Sequence, residues 1–256
     1  MKRYIPFLTM IAVCAVVVFS CKRDYPLVAS ASGIGGNAYL QVVHASPNFR
    51  KIFNQPDSLN VFLGSVKLNA TFLKYGAAYP TGVYAAVQPG AVAIRLTVNG
   101  VTTPDSITVV TLQKTLVAGN YYTLVITDSI NSPRDSSKIW LRDSYPKPTS
   151  GAGYFYLRLI NGVVNGNDTV DLYSSRRNQV LLSKVKVDST TPFTPFSTIL
   201  NSSDTLLVRK AGTGTVMAKV STVIFGDQQF YTAYYIGDTT ALPAAKTRTL
   251  GIGRNK

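Results

Sequence analysis

Val92, Ile94, Leu96 and Val98 alternate with Ala93, Arg95 and Thr97, and this period of two constrains the fold more than any other feature of the chain. Successive side chains of a strand point to opposite faces, so such a segment buries one face and shows the other. Asn99-Gly100 follows at once. Both central positions of a type I′ turn need positive φ, which this dipeptide tolerates, so a hairpin is predicted there. Strand signals recur from Tyr39 to Val43, Leu59 to Leu63, Ile107 to Leu112, Tyr121 to Thr127 and Tyr154 to Ile160. Composition argues the same way: the chain has 15 Tyr and 11 Phe, and all 12 of its acidic residues are Asp. Glu suits helices and Asp suits turns, so almost no helix is expected.

The chain also echoes itself. Ala38-Tyr39-Leu40-Gln41-Val42-Val43 matches Phe155-Tyr156-Leu157-Arg158-Leu159-Ile160, Asp57-Ser58-Leu59 matches Asp168-Thr169-Val170, and Tyr121-Tyr122-Thr123 matches Phe230-Tyr231-Thr232. The offset drifts only from 117 (155 − 38) to 111 (168 − 57) to 109 (230 − 121), as in a duplicated unit with small loop deletions. Between the echoes, Pro146, Pro148, Gly151 and Gly153 mark a linker. The expected class is all-β, with two tandem Ig-like antiparallel β-sandwich domains, residues 38–145 and 154–256, joined by 146–153. Gly119-Asn120-Tyr121-Tyr122 before an apolar strand has the form of a tyrosine corner.

The N-terminus predicts export. Lys2-Arg3 precedes an apolar run from Ile5 to Phe19 that is interrupted only by Thr9. The run is shorter than the roughly 20 residues needed to span a bilayer and has the form of a secretory signal. Val18-Phe19-Ser20-Cys21 resembles the lipobox of lipoproteins, whereas Cys14 is a poorer candidate because Val13 precedes it. Residues 1–20 are therefore read as a lipoprotein signal peptide, Cys21 as the lipidated residue, and residues 21–37, rich in Ala, Ser and Gly, as a flexible tether. The membrane partner is reached through the lipid. Lys22 beside Cys21 points to the outer membrane by analogy with lipoprotein sorting, facing either the periplasm or the outside. With Cys14 removed and Cys21 acylated, the folded part has no cysteine for a disulfide, a thiolate nucleophile or a metal.

At Tyr39-Leu40-Gln41-Val42-Val43-His44-Ala45-Ser46-Pro47, Leu59-Asn60-Val61-Phe62 and Leu73-Lys74-Tyr75-Gly76, the first half resembles the domain-of-unknown-function 4397 family, over about residues 38 to 128. The resemblance implies tandem β-sandwiches of a secreted or cell-surface protein and no established activity. In the second half the motif His44, Ala45, Ser46, Pro47 has become Asn161-Gly162-Val163-Val164, and the likeness there is one of strand pattern.

The inventory of reactive groups argues against an enzyme. His44 is the single histidine, too few for a zinc or copper site or a Ser-His-Asp arrangement with any evident partner. Its ring is expected to hydrogen-bond backbone and Ser46 and so hold the loop before Pro47. No cofactor is expected, and a hydrolase would need a cleft with two close Asp carboxylates. The 26 Lys and Arg make the surface basic, but they are scattered and suggest no specific nucleic-acid site. Seven of the 12 Asp are followed by Ser or Thr and then an aliphatic residue or Thr. This pattern resembles an O-glycosylation acceptor at Ser58, Ser106, Ser129, Thr169, Ser189, Thr205 and Thr239. Turn-to-strand junctions generate it equally well. The expected role is a non-catalytic binding or adhesion module for a polysaccharide or an envelope protein; the alternative is a structural spacer or self-assembling subunit.

If Cys21 carries the lipid, Cys21→Ser accumulates as unprocessed precursor. Wild-type protein partitions into detergent and yields an acylated N-terminal Cys21 peptide by mass spectrometry. A water-soluble mature form, or a different N-terminus, contradicts the anchor.

Overall fold

The computed structural model describes residues 36–47, 57–98, 108–127, 138–146, 153–199, 202–240 and 246–256. The signal peptide, Cys21, most of the tether and linker, Ser106 and Ser129 lie outside them. Every named element is a strand. The first half holds β1 (Ala38–His44), β2 (Ser58–Leu63), β3 (Val66–Lys67), β4 (Leu73–Lys74), β5 (Ala78–Tyr79), β6 (Ala85–Val87), β7 (Gly90–Val98), β8 (Thr108–Leu116), β9 (Tyr121–Ile126) and β10 (Lys138–Asp143). The second holds β11 (Tyr154–Val164), β12 (Val170–Ser174), β13 (Gln179–Val185), β14 (Ser189–Thr190), β15 (Thr194–Ser197), β16 (Asp204–Lys210), β17 (Val216–Val223), β18 (Phe230–Asp238) and β19 (Thr249–Arg254).

Each half folds as two sheets, and the strand order repeats. In the first half β10-β9-β1 continues to β5 and β6, while β3-β2-β7-β8 forms the other sheet with β4 on β2. In the second, β19-β18-β11 continues to β14 and β15, and β13-β12-β16-β17 forms the other sheet. The repeat thus extends from sequence to topology strand by strand, with β4 as the addition. Alternating strand faces fill one core per half: Leu40, Val42, Leu59, Val61, Ile94, Leu96 and Leu124 in the first, Phe155, Leu157, Leu159, Leu172, Leu206, Val208 and Ala233 in the second. The tyrosine corner is present in both: Val117 N–H donates to Tyr122 Oη at 3.1 Å and Gly226 N–H to Tyr231 Oη at 2.8 Å.

Two details differ from the sequence expectation. The sheets are mixed, because β1 pairs with β9 in parallel and β11 with β18 likewise. A parallel neighbour needs a crossover, and the chain makes one by passing through the opposite sheet between those strands. In addition, β7 and β8 are antiparallel neighbours but Thr97 lies opposite Thr108. A two-residue turn at Asn99-Gly100 would instead place Thr97 opposite Thr102. The connection is therefore longer, and Asn99 and Gly100 themselves lie outside the described residues.

The sheets holding β1 and β11 pack on each other. Val43, Ala45, Val125 and Ile139 from the first half form one cluster with Ile160, Tyr234 and Ile236 from the second. Gly162 allows the close approach, since a Cβ there would lie 2.7 Å from Thr127 Cγ2. At the centre of the seam, equivalent positions pair crosswise. Gln41 of β1 corresponds to Arg158 of β11, and Asp143, opposite Tyr121, corresponds to Asn255, whose N–H bonds Phe230. Asn255 Nδ2 donates to Gln41 Oε1 at 3.2 Å, and Arg158 Nη1 pairs with Asp143 Oδ1. This is the self-complementary pattern of a two-fold interface, here within one chain.

Arg158 and the Asp143 side chain are almost wholly buried. Removing one member of such a pair leaves an uncompensated charge and costs about 3–5 kcal/mol, whereas replacing both with apolar groups is often near neutral. Arg158→Met should lower the urea-unfolding free energy by that amount, and adding Asp143→Leu should restore part of it, since Tyr84 and Thr123 then lose their acceptor. An Arg158→Met protein as stable as wild type would show that the pair does not hold the halves together.

Candidate functional site

Where β10 ends, β9 begins and the C-terminal residues finish, an open cleft of about 490 Å³ is lined by Asn120, Tyr121, Arg142, Ser144, Tyr145 and Lys256, with Asp143 at its base. It draws on both halves, because β19 brings Lys256 alongside β9 and the segment after β10. Tyr121 stacks on Tyr39 with ring centroids 4.5 Å apart, and Tyr145 meets Tyr121 edge-on at 5.3 Å. Lys256 Nζ stands 5.4 Å from both the Tyr121 and the Tyr145 ring. Arg142 Nη2 donates to Asn120 Oδ1 at 3.1 Å, which aims the exposed guanidinium.

Beneath the cleft lies a largely buried hydrogen-bond relay. Tyr145 Oη donates to Tyr84 Oη at 2.6 Å, and Tyr84 Oη donates to Asp143 Oδ2 at 2.6 Å, an oxygen that also accepts from Thr123 at 2.6 Å. Burial raises the Tyr84 phenol above its ordinary range, and the Asp143 charge raises it further. Burial does the same for Tyr145, with the neighbouring Tyr84 adding to it. Both phenols therefore stay protonated donors at physiological pH. For Arg158 burial, the largest single influence, acts downward, but Asp143 together with Tyr234 and Tyr84 outweighs it and the guanidinium is held charged. The cleft can offer apolar ring surfaces with cationic and amide donors at their edges, which is the chemistry of a polar-ligand site. A second open depression, near 620 Å³, is lined by Asn165, Gly166, Asn167, Lys186 and Asp188 among others and holds no aromatic ring.

The sequence singled out different residues. His44, Ala45, Ser46 and Pro47 are all buried, so the motif faces the interior and not solvent. His44 ends β1 with Nε2 3.4 Å from Asp57 Oδ1 and its ring edge-on to Tyr75 at 5.9 Å. Burial, then the Lys246 charge, lowers its pKa to about 3. Asn161 occupies the equivalent position at full burial and donates to the Val185 carbonyl at 3.2 Å. In both halves this position ties the end of the first strand to the neighbouring loop. Among the described residues no three His, Cys, Asp or Glu side chains form a metal-binding group.

Of the glycosylation candidates, Ser58 begins β2 and is buried, where the folded chain leaves no room for a sugar. Thr169, Ser189, Thr205 and Thr239 are half-buried at strand starts and ends. Two of their aspartates are hydrogen-bonded: Asp204 accepts from Ser174 Oγ and Arg176 N–H at the end of the neighbouring β12, and Asp238 from Thr240 N–H of its own turn at 2.7 Å. At Asp238 the carboxylate bonds its own turn, as a turn-to-strand junction would arrange it. The sequence marked Asn120 and Tyr121 within the tyrosine-corner motif but not the cleft they help line, because Arg142 and Lys256 join them only through packing of the two halves. The doubled tyrosine at Tyr121-Tyr122, one ring inward in the corner and one outward, was the available signal.

Folded-state His44 takes up a proton only near pH 3, whereas in the unfolded chain it does so near its ordinary value of 6.5. Below about pH 6.5 the unfolded state binds more protons, so stability falls as pH falls, by up to roughly 1.4 kcal/mol per pH unit from this residue. His44→Asn, which copies Asn161, should remove this component between pH 7 and pH 5 in denaturant titrations. An unchanged pH dependence in that variant refutes the assignment.

No family model and no curated protein matches the chain. Among solved structures, a candidate adhesin of Bacteroides ovatus aligns over 84% of this chain and 92% of its own at 9% identity, with a TM-score of 0.21, a value that carries no argument.

Proposed function

We propose that this protein is a non-catalytic lipoprotein of the cell envelope, anchored through Cys21, that binds polysaccharide in the cleft between its two halves. The observation that carries this reading is the cleft wall made by the perpendicular Tyr121 and Tyr145 rings, edged by Asn120, Arg142 and Lys256. Aromatic faces lie against the C–H faces of sugar rings, while the edge groups hydrogen-bond hydroxyls or acidic substituents. Membership in the domain-of-unknown-function 4397 family is part of the same proposal; the buried His44-Ala45-Ser46-Pro47 turn at the end of β1 supports it. The spacer reading draws on one observation, the buried charged seam that holds the halves in a fixed relation.

Full-length protein in detergent, applied to immobilised acidic and neutral polysaccharides, should bind at least one class. Tyr121→Ala should weaken that binding about tenfold, equivalent to about 1.4 kcal/mol. Wild-type protein that binds no polysaccharide, or a Tyr121→Ala protein that binds as well, would exclude the cleft and favour the spacer.

A further inference from the structure

Asp57, just before β2 in the first half, is paired with Lys246, between β18 and β19 in the second. The two side chains are largely shielded, at 20% and 12% exposure, and His44 beside them is wholly buried. His44 Nε2 stands 3.4 Å from Asp57 Oδ1, and the Tyr75 ring lies 4.2 Å from Lys246 Nζ. An amine, a carboxyl group and an imidazole thus share one sheltered site, and no cysteine stands among the described residues to form a disulfide. The one histidine of the protein is spent here, in a motif that the polysaccharide cleft does not use.

The geometry points to an intramolecular isopeptide bond between Lys246 Nζ and Asp57 Cγ, formed with His44 as the proton carrier. The chemistry balances without a co-reactant. A proton passes from the ammonium to the carboxylate, and the neutral Nζ amine adds to Cγ. The nitrogen then loses a second proton to His44 Nε2, which delivers it to Oδ1. The Cγ–Oδ1 bond breaks, and one water leaves carrying the two protons that the ammonium gave up. The imidazole ends as it began, and the ion pair has become a neutral amide. Burial assists the first transfer, because neither charge is well hydrated there. Holding the reactants in contact substitutes for high concentration; effective molarities of about 10⁵–10⁸ M are known for well-oriented pairs. Burial keeps His44 neutral at physiological pH, so its ring nitrogen holds a proton only weakly and a proton taken up there passes on at once to Oδ1, 3.4 Å away. The product would staple the first half to the second.

The test reads the wild-type protein directly. Trypsin should fail to cut after Lys246, and the digest should contain one branched species joining Ile52–Lys67 to Val220–Arg248 at the summed mass less one water. Linear peptides ending at Lys246, with no branched species, overturn the proposal. Lys246→Arg keeps the positive charge and should yield only linear peptides; a persistent water loss between the same segments would place the link elsewhere. His44→Gln keeps a donor but cannot relay a proton, so newly made protein of that variant should be mostly unlinked where wild type is complete. Full linking in His44→Gln would remove His44 from the reaction.

Discussion

A guanidinium buried between two sheets must find acceptors on every side, and the architecture around Arg158 follows from that requirement. Its Nη1 meets Asp143, its Nε donates to Thr232 Oγ1 at 2.8 Å, its Nη2 to Thr123 Oγ1 at 3.3 Å, and its plane lies 4.5 Å from the Phe193 ring. These partners come from β10, β18, β9 and the segment before β15, so satisfying one side chain fixes the register of both halves. Asp143 is also the base of the cleft, reached through Tyr84 and Tyr145. A shift of the seam by one strand residue would break the charge pair and separate Lys256 from Tyr121 together.

The duplicated seam is not symmetric in charge, and the difference has a physical use. Where Gln41 meets Asn255 the contact is neutral; where Arg158 meets Asp143 it is ionic. Two neutral crossings would let the first half of one chain accept the first half of another nearly as well as its own partner. With one charged crossing, Asp143 buried against a second copy of the first half would face Gln41 and remain uncompensated. Wrong pairings are therefore penalised more than the correct one is rewarded.

What could be read in the sequence was local or periodic. The alternation of Val92 to Val98 placed β7, and the Tyr121-Tyr122-Thr123 echo in Phe230-Tyr231-Thr232 placed two strands at equivalent positions, down to the threonines that both touch Arg158. The long-range partners had no such signature. Asn99-Gly100 carries the turn preference of a tight hairpin, yet the pairing of Thr97 with Thr108 overrides it, since cross-strand packing outweighs the preference of two residues. Parallel pairing of β1 with β9 joins residues some eighty positions apart by direct hydrogen bonding, which period-two patterning cannot encode. The cleft was hidden for the same reason: its cations sit at the ends of β10 and β19, and no spacing rule relates those ends.

The aspartates show how one residue type serves two purposes. A short carboxylate at a turn can accept N–H groups of its own loop, which a longer Glu side chain does less well, and Asp238 does so at the end of β18, whereas Asp204 at the start of β16 reaches across to the Arg176 N–H after β12. Asp168 at the second-half position keeps to its neighbourhood, 3.2 Å from exposed Lys210. Asp57, its counterpart, is instead turned toward buried His44 and toward Lys246 from the other half. The strand-end residue differs between the halves as well. An Asn there, as at 161, satisfies its surroundings through backbone carbonyls, whereas an imidazole presents a titratable nitrogen to the carboxylate. Replacing that one side chain changes the equivalent Asp from a turn residue into a member of a long-range cluster.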